Sequence, residues 1–149
     1  MTANDLLGAN RGKPRQSNLR RASSTVYYAL FHCLAKSCAD LLVGGAGAAR
    51  SKHAWRQVYR ALEHNRAKNA CNNQATLKQF PKEIEDFGNT FVISQDRRHK
   101  ADYDPSAKFY KEAVQADIDE AKNVIIRFTV ADIKDRRAFA AFVLFKQRP

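Results

Sequence analysis

Along the chain, apolar side chains return every three or four residues, the repeat of one face of an α-helix, and β-branched alternation is almost absent. The pattern predicts an all-α fold, an antiparallel bundle of four to five helices joined by short loops. A first long helix is expected from Ser17, a suitable N-cap, through Val43. Its stripe runs through Leu19, Ala22, Val26, Leu30, Cys33 or Leu34, Ser37 and Leu41, and Tyr27, Tyr28 and Phe31 widen it enough to predict contacts on two sides. GGAGAA at 44–49 ends this helix, because glycine supplies the left-handed cap and a flexible turn. The run matches neither phosphate-loop pattern and follows no strand, so it is not read as a nucleotide loop.

A second helix is predicted over 51–70, capped by Ser51, with Trp55, Val58, Tyr59 and Leu62 toward the core. A third starts at Pro81 or Lys82, with Glu83, Glu85 and Asp86 in its first turns, where the helix dipole favours anions. It ends at Asp104, since a residue preceding proline is pushed out of the α region. Asp104 as N-cap and Pro105 as first residue open a fourth helix, striped by Ala107, Tyr110, Val114, Asp117 or Ile118, Ala121, Ile125 and Phe128. Thr129 with Asp132 offers a capping box for a fifth, whose Phe139, Phe142, Val143 and Phe145 need cover from this subunit or another. Residues 1–16, with Gly8, Gly12 and Pro14, are expected to form a short helix or loose arm, and 17–149 a single domain. The chain of 149 residues is about one domain long, given a usual ~100–150.

Charge adds a direction. The net charge of +11 is concentrated in residues 1–80, which carry 13 Lys/Arg against 3 Asp/Glu, while 81–149 carry 13 against 12. A field of that sign suits a polyanion such as nucleic acid, or serves solubility alone. His53, Arg56, Arg60 and His64 fall at spacings of 3, 4 and 4 on one face of the second predicted helix. Few acids neutralise this stripe, which reads either as a solvated face or as a track for RNA phosphates. Cys33, Cys38 and Cys71 lack metal-type spacing and are read as reduced structural thiols, as in a cytoplasmic protein. The N-terminus lacks an apolar signal core, and the longest apolar run, 138–145, falls well short of the ~20 residues of a membrane span. No metal motif, no Ser-His-Asp order and no cofactor motif is present.

One feature of the third helix stands out. Ile84, Phe87, Phe91 and Arg98 lie within about a quarter turn, since seven residues return to one face within ~20°. An arginine ending an apolar stripe is costly unless it finds a partner. The stretch around it also carries a resemblance. LRRASSTVYYALFH (19–32), SKHAWRQVY after a glycine loop, and RRHKADYDP leading into AKFYKEAVQADIDEAKNVI together resemble the HEPN superfamily over residues 17 to about 126. The likeness is to the bacterial branch with S-x-x-YYA-x-FH in its first helix and R-x-x-ADY closing its third, here Ser24, Tyr27, Tyr28, Ala29, Phe31 and His32, then Arg98, Ala101, Asp102 and Tyr103.

The resemblance implies a homodimer whose motif helices meet across the axis to form one basic cleft for RNA or a nucleotide, with Asp102 holding Arg98 in place. Many relatives are metal-independent endoribonucleases, some of them toxins paired with a nucleotidyltransferase antitoxin; others recruit partners without catalysis. Such cleavage needs a cation for the charge building on phosphorus and a group to move protons. Arg98 with Arg97 would supply the cation. The superfamily's nuclease pattern sets a histidine four to six residues after the arginine, and this chain departs from it: Asp102 and Tyr103 occupy that place, while His99 follows Arg98 directly, about 100° round the helix. Tyrosine, with a pKa near ~10, is a poor base at neutral pH. His32 can approach the same cleft or serve as a packing residue.

Overall fold

The computed structural model describes residues 2–8 and 15–148. Among them the chain forms eight helices and no strand: α1 (Ala3–Gly8), α2 (Gln16–Leu42), α3 (Lys52–Ala61), α4 (His64–Asn72), α5 (Gln74–Leu77), α6 (Lys82–Tyr103), α7 (Lys111–Thr129) and α8 (Ile133–Leu144). The all-helical bundle agrees with the periodicity. No helix among these residues is long and apolar enough to cross a membrane.

Helix α2 is the axis of the bundle, packed by α6, α7, α1, α3 and α8, as its wide stripe predicts. Tyr27, Leu30 and Leu34 are fully buried in one core with Ile84, Phe87 and Phe91 of α6, and the rings of Tyr27 and Phe91 meet with centroids 5.4 Å apart. Phe87 stacks on Phe128 of α7 with centroids 4.3 Å apart, and Phe139 of α8 meets both rings. Phe139, Phe142 and Val143 are therefore covered within one subunit, whereas Phe145 remains 57 % exposed. Leu6 and Leu7 of α1 join the same core, so the start of the chain is docked; Gly12 and Pro14 lie outside the described residues. All three cysteines are free, and burial pushes the thiols of Cys38 and Cys71 up to about 12.

Two glycines have specific work. Gly44, beyond the end of α2, takes φ +134°, and a Cβ there would meet Ala48 Cβ at 3.0 Å. Gly88 lets α6 approach the end of α5, since a Cβ would lie 2.8 Å from a Leu77 methyl.

The structure corrects several expected boundaries. The helix predicted over 51–70 divides: Leu62 and Glu63 are extended, which turns Leu62 into the core and restarts the helix at His64. No proline or glycine signals that break; the burial of Leu62 accounts for it. The helix expected from Pro105 begins only at Lys111. Asp104 caps a local turn instead, accepting from Ser106 N–H and Oγ. Arg20 of α2 donates to the carbonyls of Lys100, Ala101, Asp104, Pro105 and Ala107 and so fixes the segment outside a helix. The Gln16 amide pairs with both backbone groups of Phe109. Position Arg15, not Ser17, precedes α2. Asp132 alone caps α8, by accepting from Lys134 N–H, while Thr129 donates to the Ile126 carbonyl, so no capping box forms.

Gly88→Ala pits a gain of up to ~1 kcal/mol in helix propensity against overpacking of a buried leucine at ~1–3 kcal/mol. Because Leu77 is fully buried and cannot swing into solvent, a net loss of about 1–2 kcal/mol is expected in urea unfolding. An unchanged or higher midpoint would show that α5 yields freely.

Candidate anion-binding site

Arg98 does end the apolar stripe of α6, and its partners lie in its own chain. The side chain is 18 % exposed. Nη2 donates to the Tyr28 hydroxyl at 2.9 Å, and Cζ sits 5.6 and 5.4 Å from the ring centroids of Tyr27 and Tyr28. Nε lies 3.1 Å from Asp102 Oδ2, but off the N–H direction: the two form an ion pair without an aligned hydrogen bond, so Nε is buried and unmatched. Asp102 is held from the other side by Ser24 Oγ at 2.7 Å. A partly buried guanidinium persists here because two π faces, a hydroxyl and a carboxylate replace its water. No second copy is required to explain its position.

The same tyrosines organise a histidine that the sequence places elsewhere. The break at Leu62–Glu63 takes His64 off the stripe of His53, Arg56 and Arg60 and turns it onto α2. Its ring stacks on Phe31 at 4.0 Å, 17° from parallel, and Nδ1 is 2.5 Å from the Tyr27 hydroxyl. Burial lowers its pKa from the ordinary 6.5, and the charge of Arg98, then of His32, lowers it further. Burial conversely raises Tyr27, which stays a phenol. On the far side, His32 Nδ1 contacts the Tyr59 hydroxyl at 2.6 Å; a row of stacked rings, Trp55, Tyr59, His32 and Tyr28, links α3 to Arg98.

Between α4 and α6 opens a cavity of about 490 Å³. Helix α4 contributes His64, Asn65 and Lys68, and α6 contributes Gln95, Asp96, Arg98, His99 and Lys100. Asp96 is paired with Lys68 at 2.6 Å, which leaves Arg98 and Lys100 to set the sign. Glu63 precedes α4 without capping it by its side chain, and His64 and Asn65 of the first turn of α4 line the opening. Gln95 is 6 % exposed, and its carbonyl oxygen has no partner.

Of the five residues expected at the catalytic centre, Arg98 and His99 line this cavity and Asp102 braces Arg98 from behind. Arg97 turns toward α7 and pairs with Asp117, so the two arginines do not form a double cation. Tyr103 is 66 % exposed, leans on His99 at 4.9 Å and borders a different hollow with Arg20. His53, Arg56 and Arg60 stay together, exposed, on α3. Lys68, Gln95 and His64 were missed as cavity residues. Nothing local announces them, because His64 and Tyr28 lie far from Arg98 in the chain. Asp117 and Asp119 on α7 are engaged by Arg97 and Gln115. No protein-family model, curated protein or solved structure matches the chain.

The lowered pKa of His64 has a stability consequence of definite sign. A base whose folded pKa lies below its unfolded 6.5 contributes stability that is complete above 6.5 and is lost as pH falls through the folded value. Thermal unfolding of the native chain is expected to weaken below pH 6.5 more steeply than that of His64→Gln. Parallel pH profiles would show that the ring is not held neutral.

Proposed function

We propose that the chain is a HEPN-like protein that binds RNA or a nucleotide, with Arg98 as the principal phosphate ligand. The observation that carries this reading is the cavity between α4 and α6, where an anchored guanidinium, Lys100 and the first turn of α4 line one opening. The exposed His53, Arg56 and Arg60 on α3 would extend the contact along a polyanion, and no carboxylate pairs with either arginine among the described residues. The homodimer, the toxin–antitoxin setting and a nucleotidyltransferase partner rest on the motif resemblance.

Metal-independent cleavage of RNA belongs to the same reading, with Arg98 stabilising charge at phosphorus and His99 as the α6 histidine nearest to it. A non-catalytic module that recruits a protein partner through this face is the alternative. It is favoured by Tyr103 pointing away from the cavity and by Arg97 being engaged with Asp117. In either case the binding step is the same.

Fluorescence anisotropy with a labelled single-stranded RNA tests it. Affinity should fall steeply with salt, Arg98→Ala should cost roughly tenfold or more, and Arg56→Ala/Arg60→Ala should flatten the salt dependence by about one to two contacts. Arg98→Lys, with melting checked in parallel, separates loss of the guanidinium from loss of fold. Salt-insensitive binding, or binding untouched by Arg98→Ala, would overturn the proposal. Incubation with RNA in EDTA then divides the two readings: cleavage that disappears in Arg98→Ala identifies an enzyme, and binding without cleavage identifies the module.

A further inference from the structure

We infer that His64 donates its Nε2–H to the same phosphate that Arg98 binds, so that a neutral imidazole and a guanidinium hold one phosphate in the cavity between them. The inference rests on the phosphate-binding reading of Arg98 and deepens it.

The Tyr27 side chain is fully buried, and the one hydrogen-bond partner of its hydroxyl among the described residues is His64 Nδ1, at 2.5 Å. A buried hydroxyl that accepted from Nδ1–H would leave its own hydrogen unpaired, at a cost of ~1–3 kcal/mol; donating to Nδ1 leaves nothing orphaned. Nδ1 is therefore the acceptor. The ring is neutral, for the reasons of burial and neighbouring positive charge given above, so its single hydrogen sits on Nε2. Stacking on Phe31 fixes the plane of the ring. Nε2 makes no bond within the described residues and is not among the buried unpartnered atoms, while the residue lines the cavity.

A fixed neutral N–H beside a guanidinium suits a phosphate oxygen, since both are donors and neither must lose a proton. The tautomer also carries a chemical consequence. With Nδ1 occupied by Tyr27 and Nε2 protonated, His64 has no free lone pair with which to abstract a proton, so it is a binding residue and not the missing base of the nuclease pattern.

The test uses the full-length chain labelled with ¹⁵N, titrated with 5′-AMP and separately with ribose 5-phosphate. Long-range ¹H–¹⁵N spectra, assigned with His64→Gln, should show His64 as the Nε2–H tautomer, with Nε2 shifting on addition of either ligand. His64→Gln, whose amide nitrogen reaches the place of Nε2, should retain most of the affinity, whereas His64→Ala should lose roughly tenfold. An Nδ1–H tautomer, or an Nε2 resonance that neither ligand moves, overturns the inference even if Arg98→Ala still weakens both. If Arg98→Ala leaves both affinities unchanged, or neither ligand binds the native chain, the phosphate-binding reading fails with it.

Discussion

A positive charge set at the end of an apolar helix face must be met by compensating groups, and meeting it organises one half of this bundle. Arg98 is satisfied by the faces of Tyr27 and Tyr28, the Tyr28 hydroxyl and the carboxylate of Asp102. Each is itself tied down: Asp102 by Ser24, Tyr27 by His64, and Tyr28 by the stacked rings that run through His32 and Tyr59 to Trp55. The result is a polar and aromatic network that binds α6 to α2, α3 and α4, laid over the apolar core lower on the same helices. Networks of this kind specify register more than they add stability, because an arginine displaced by one turn would lose every partner together.

Arg20 does a parallel task at the end of α6. Its guanidinium gathers the carbonyls that a helix leaves without donors at its C-terminus and carries the grip onward to Ala107. Ring contact with Phe109, 5.3 Å from Cζ, completes that grip. Two arginines, one on each helix, thus clamp the α2–α6 junction from opposite directions, and the cavity between α4 and α6 is open beside a rigid seam. Rigidity matters there, since a phosphate site built from few donors gains affinity when those donors need no rearrangement.

The distribution of acids explains why this opening stays positive. Many carboxylates of the second half are engaged in ion pairs: Asp86 with Lys82 and Arg127, Asp96 with Lys68, Asp117 with Arg97. The excess of basic residues lies in the first half, and α3 displays part of it on the surface next to the aromatic row. A charge imbalance that looks uniform in composition is therefore resolved by folding into paired regions and one region with cations to spare.

Periodicity alone determined that the chain is helical, that its first long helix is a two-sided core element, and that Arg98 shares a face with Ile84, Phe87 and Phe91, because each depends only on the 3.6-residue repeat. The glycine-rich end of α2 and the cap at Ser51 were legible for the same reason, being local chemistry. What met Arg98 was not legible. Tyr28 is seventy residues away, and His64 appeared to belong to the α3 stripe until the burial of Leu62 broke that helix. Likewise, Asp104-Pro105 carried every local sign of a helix start, yet Arg20 and Gln16 hold the segment outside a helix. Only tertiary structure decided these points, since a contact between distant residues outweighs a local preference worth a fraction of it, and the repeat along the chain contains no record of which distant residue arrives.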